Sequence, residues 1–126
     1  MPASSMKDKK GSAMSLTAST REIGGVTVVD LEGRITLGDG SALLREVIRQ
    51  NVDKGRLKLL INLAAISNLD STGLGELVSG YRLVKSQGGE LKLLNLNKKV
   101  SDLLQVTKLY TVFDIHNDEA QALASF

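Results

Sequence analysis

Asp70-Ser71-Thr72-Gly73-Leu74-Gly75 is the stretch on which the reading of this chain turns. Upstream, Leu59-Leu60-Ile61-Asn62-Leu63 is an apolar run of the kind that forms a covered central strand. Downstream, Leu74, Leu77, Val78, Tyr81 and Val84 recur at helical spacing as far as about Gln87, and Gly88-Gly89 ends the helix. The hexapeptide is therefore a strand-to-helix turn. A helix that begins near Thr72 leaves its first backbone N–H groups without intrahelical partners. Asp70, Ser71 and Thr72 are all residue types that satisfy such groups, and an anion or a phosphate ester is also stabilised there.

Working outward, the same periodicities give the remaining elements. Leu16 to Ile23 and Val26 to Glu32 form two strands joined at Gly24-Gly25, a two-residue hairpin turn. Gly33 ends the second strand, and Arg34 to Gly40 is a glycine-containing loop. Ser41 is the expected N-cap of a first helix with Leu43, Val47 and Ile48 on its inner face. Glu90 to Leu94 reads as a strand, Val100 to Val106 as a third helix, and Val112 to Ile115 as a short last strand. Asn117 or Asp118 caps a final helix through Leu123. The order β-β-α-β-α-β-α-β-α predicts an α/β fold: a mixed sheet of four to five strands with about four helices packed against it.

At 126 residues the chain has room for one domain with a core, and with 3% aromatic residues and no Trp that core is aliphatic. The absence of Cys removes disulfides and thiol catalysis, and a single His, His116, cannot form a metal cluster. No metal or organic cofactor is expected. No apolar run reaches the ~18 residues of a membrane span, and the N-terminus has no apolar signal region, so the chain reads as soluble and cytoplasmic. Residues 1–14 lack any period and read as a disordered tail, leaving 15–126 as the domain. Lys7, Lys9 and Lys10 against Asp8 account for the whole formal charge of +2, so the domain itself is balanced and gives no sign of a nucleic-acid partner.

Enzyme motifs are missing. There is no G-x-x-x-x-G-K-[ST] and no G-x-S-x-G. Gly73 lies three residues after Asp70, whereas the aspartic protease string needs it after two. The chain is expected to have no enzymatic activity.

Asn68-Leu69-Asp70-Ser71-Thr72-Gly73-Leu74-Gly75-Glu76-Leu77, with Leu31-Glu32-Gly33, Lys85-Ser86-Gln87-Gly88-Gly89 and the element order, resembles the STAS domain family of sulfate transporter and anti-sigma factor antagonist domains. The likeness is greatest to single-domain bacterial anti-sigma factor antagonists and runs over about residues 15–126. It implies a protein that binds a serine-kinase anti-sigma factor while unphosphorylated and so releases a sigma factor. The kinase esterifies the hydroxyl after the motif aspartate, and a PP2C-type phosphatase restores it. On this chain the acceptor is Ser71, with Thr72 as second choice, and the docking surface includes Asp70, Ser71, Thr72, Gly73, Leu74 and Gly75. Both glycines are expected to bring the turn close to the sheet. The loop after Gly33 departs from the family: Arg34 and Thr36 stand where antagonists carry acids, and Asp39 is the candidate to replace them. Two other readings stay open. One is a STAS scaffold in a different signalling or transport assembly. The other is a ligand- or nucleotide-binding module that uses the same helix start for an anion.

Overall fold

The structure, a computed structural model, describes residues 7–12 and 15–126. A six-stranded sheet runs in the order β1-β2-β3-β4-β5-β6. Its strands are β1 (Lys7–Ser12), β2 (Leu16–Ile23), β3 (Val26–Ile35), β4 (Lys58–Leu69), β5 (Glu90–Leu94) and β6 (Ile115–His116). The first two pairings are antiparallel and the other three parallel. The parallel strands are linked through α1 (Asp39–Asp53), α2 (Ser71–Ser86) and α3 (Lys98–Val106), and α4 (Glu119–Ala124) closes the chain.

Strand alternation divides the apolar residues between two faces. Val29, Ile61 and Leu93 point into the main core with Leu44, Val47 and Ile48 of α1, Leu74, Leu77 and Val84 of α2, and Val100 and Leu104 of α3. Their sequence neighbours Val28, Leu60 and Leu94 face the other way and meet Ala122, Leu123 and Phe126 at the C-terminus. Three helices thus cover one face, and α4 covers one end of the other. Each large aliphatic side chain fully buried this way contributes about 1.5–3 kcal/mol.

The five expected strands are present as β2 to β6 in an α/β mixed sheet with four helices. Five expectations need correction. Gly33 does not end the second strand: β3 runs on to Ile35, with Gly33 and Arg34 still paired to β4, so the loop expected over Arg34–Gly40 shrinks to residues 36–38. Lys7–Ser12, assigned to a disordered tail, pairs with β2 as an edge strand, with a bulge between Lys9 and Gly11; residues 1–6 and 13–14 of that tail lie outside the described residues. Strand pairing uses backbone groups, so a segment without apolar alternation gives no side-chain signal, and lysines are common on sheet edges. Ser41 is not the cap of α1. The N-cap is Gly38, three residues earlier, and the Ser41 hydroxyl donates to the Gly38 carbonyl at 3.2 Å. β4 continues to Leu69, six residues past its apolar run, because it keeps pairing with β3 through Ile35↔Leu69. The last strand is only Ile115–His116: Lys108 at φ 60° turns the chain into a 3-10 turn over Leu109–Thr111, and Phe113 packs edge-on against Tyr81 at 5.5 Å.

Candidate partner-binding site

Ile35 and Leu69 end β3 and β4 side by side, so the loops that follow emerge together at one end of the sheet. The Asp70 N–H donates to the Ile35 carbonyl at 3.4 Å. Gly73 packs against the same carbonyl so closely that an added Cβ would overlap it, and that Cβ would also meet Leu69 Cδ1 at 2.8 Å. At this position the backbone approach requires glycine. Gly75 differs: nothing lies within 4 Å of a Cβ built on it, so the expected close approach belongs to Gly73 alone.

Asp70 has an extended backbone (φ −102°, ψ −177°) and is the N-cap of α2. Its two carboxylate oxygens serve different segments, the first turn of α2 and the loop between β3 and α1. Oδ1 accepts the Gly73 N–H at 2.8 Å, and Oδ2 accepts the Leu37 N–H at 2.9 Å. These two donors, Gly73 first and Leu37 second, hold the Asp70 carboxyl below the ordinary carboxylate range. Ser71, the first helical residue, is exposed, whereas Thr72 is half-buried. The two hydroxyls thus differ in access, a difference that their residue types alone did not indicate. Leu74, included among the docking candidates, is only 4% exposed and belongs to the core, since the first inward position of α2 must face the sheet. Asp39 is exposed at the start of α1, and its Oδ1 accepts the Ser15 hydroxyl at 2.7 Å. α1 and α2 are tied beside this end by Arg45 and Glu76 at 2.6 Å.

This strand-loop-helix turn, with its capping carboxylate and outward serine, lies inside the region matched by the STAS domain model, residues 17–122. The chain belongs to the STAS domain family. Its relatives are anti-sigma factor antagonists. The anti-sigma-B factor antagonist of Bacillus subtilis is 38% identical over 87 residues, 69% of this chain and 78% of that protein. The anti-sigma F factor antagonist of Paenibacillus polymyxa is 27% identical over 100 residues, 79% and 85% of the two chains. The crystal structure of an anti-sigma factor antagonist from Mycobacterium paratuberculosis superposes with a TM-score of 0.78 at 26% identity, covering 91% of this chain and 97% of that one.

Elsewhere, this STAS domain builds polar clusters that the sequence did not reveal. On the sheet face opposite α1 and α2, Arg21 donates to Asp30 (2.7 and 3.0 Å) and to Glu119 (2.7 and 3.2 Å), and Asn62 donates to Asp30 at 2.8 Å. The two carboxylates, Asp30 foremost, raise the Arg21 pKa. This network floors a shallow cavity of about 610 Å³ next to Thr17, Ser19 and Ala64. No sequence periodicity links residues 98 apart. Among the described residues no group of three or more His, Asp or Glu side chains is placed to hold a metal ion, and no helix is long and apolar enough to cross a membrane.

Proposed function

We propose that this STAS domain is a phosphorylation-controlled anti-sigma factor antagonist, with Ser71 as its acceptor. The observation that carries this reading is the exposed Ser71 side chain at the first position of α2, directly after a carboxylate cap that ties the start of α2 to the β3–α1 loop. In the unmodified state the turn offers a small uncharged hydroxyl to a serine-kinase anti-sigma factor. That docking occupies the kinase and frees its sigma factor.

Phosphoryl transfer from ATP joins the γ-phosphorus to Ser71 Oγ and breaks its bond to the leaving oxygen of ADP; the hydroxyl proton passes to a base of the kinase. Hydrolysis by a PP2C-type phosphatase returns the serine. The ester adds about −1.5 to −2 charges at pH 7. The positive end of α2 accommodates this charge, typically with a gain of about 0.3–1 kcal/mol, so the fold survives modification. A partner surface fitted to a hydroxyl next to Asp70 meets a bulky dianion instead and loses its contact. Asp39, the first residue of α1, is the only carboxylate between Arg34 and Gly40 and is the group proposed to supply acidity next to the turn.

The test uses the source organism's purified serine-kinase anti-sigma factor with ATP. Wild type should acquire one phosphate on Ser71 and leave the complex, whereas Ser71→Ala should stay bound. Equal dissociation of the two proteins would overturn the reading.

A further inference from the structure

The loop between β3 and α1 carries the second most exposed large apolar side chain among the described residues. Leu37 is 78% exposed, although the residue two before it, Ile35, is fully buried. An apolar side chain turned almost completely to water gains nothing for the fold. Single exposed leucines are common on surfaces, so exposure alone decides little. Here two further observations accompany it. The Leu37 backbone N–H is held at 2.9 Å by Asp70 Oδ2, on the residue next to the proposed acceptor. In addition, Gly38 at φ 113° and ψ −136° takes a conformation open essentially to glycine, and it turns the chain directly into α1. Leu37 is therefore fixed on both sides: its amide by Asp70, and its following residue by a backbone conformation that other residue types resist.

We propose that Leu37 is the apolar anchor of the docking surface, filling a hydrophobic pocket on the anti-sigma factor, and that Asp70 is the positioning residue that holds it beside Ser71. This rests on the functional reading above and extends it to a specific contact. Buried apolar anchors dominate the energy of protein interfaces, and an anchor held in place before binding loses less freedom when it docks. Asp70 can hold both the start of α2 and the Leu37 loop only because a carboxylate offers two acceptor oxygens. An asparagine offers one, so Asp70→Asn must give up either the Gly73 or the Leu37 hydrogen bond.

Two measurements test this. In the free protein, amide hydrogen exchange at Leu37 and Gly73 should show both amides protected in wild type and one of them at least tenfold less protected in Asp70→Asn. Unchanged protection at both would overturn the positioning role. In the second, the purified serine-kinase anti-sigma factor, loaded with ADP so that no transfer occurs, is titrated with wild type, Leu37→Ala and Leu37→Ser. Both variants should keep the wild-type melting temperature and bind at least tenfold more weakly. Wild-type affinity in these variants would overturn the anchor while leaving the functional reading intact. Failure of wild type itself to bind would overturn both.

Discussion

The carbonyl of Ile35 lies directly under Gly73, with no room for a methyl group between them. One peptide group at the end of β3 thereby determines how near α2 can start, and the Asp70 N–H bonds to the same oxygen. Because Gly75 faces open space, the two glycines of one hexapeptide should respond to alanine in opposite directions. Gly73→Ala forces the helix start away from the sheet and should destabilise by about 1–3 kcal/mol. Gly75→Ala removes a helical glycine without a clash and should stabilise by up to about 1 kcal/mol. Urea denaturation of both variants checks this, and equal effects of the two would show that the close approach is absent.

Ser71→Glu should leave stability within about 0.5 kcal/mol of wild type or raise it slightly, since the residue is exposed and a negative charge suits the first turn of a helix. The same variant should bind the anti-sigma factor more weakly than wild type. A large drop in melting temperature for Ser71→Glu would mean that modification acts by unfolding the site rather than by blocking it.

Asp70→Ala removes an N-cap and should lower stability by about 0.5–2 kcal/mol. The pH dependence follows from the direction of the Asp70 shift. Its folded pKa lies below the ordinary 3.8, so the unfolded chain binds the proton more readily. The stabilisation is therefore complete above about pH 4 and is lost as the pH falls through the lower folded value. The stability difference between wild type and Asp70→Ala should accordingly shrink in acid and stay level from pH 5 to 8. A difference that does not shrink at all as the pH is lowered below 4 would show that the cap does not depend on the charge.

Lys92 is 5% exposed, and its Nζ donates to the Ser125 carbonyl at 2.8 Å and hydroxyl at 2.9 Å. It also pairs with Asp114 at 3.0 Å and lies 4.8 Å from the centre of the Phe126 ring. Burial alone would raise the Asp114 pKa, but Lys92 and then His116 outweigh it and hold the carboxyl low. Lys92→Met keeps the apolar stem and loses the charge-assisted bonds that fasten the C-terminus. It should destabilise by about 1.5–3 kcal/mol. Amide exchange should place the loss in α4, with β4 still protected; uniform loss across the sheet would assign Lys92 a different role.

Local pattern was enough to place most of the elements. The spacing of Leu74, Leu77 and Val84 defined α2, the two-glycine turn defined the β2–β3 hairpin, and a cap among Asp70, Ser71 and Thr72 was evident from residue type and position. These signals are legible because helix and strand periods, caps and tight turns depend on residues within a few positions of one another. The motif residues that resemble the STAS family were equally legible, since each of their segments is a short contiguous string.

What depends on chain segments distant in sequence could be decided only by the folded arrangement. β1 exists because a backbone edge of β2 is available to it. Gly73 differs from Gly75, and Leu37 is joined to Asp70, because β3 and β4 end at the same level of the sheet. Arg21 reaches Glu119 across 98 residues, and Lys92 reaches Ser125 across 33, through packing that no local pattern encodes. Residue type and spacing specify which groups a segment can offer; only the close packing of the whole chain selects which partners those groups meet.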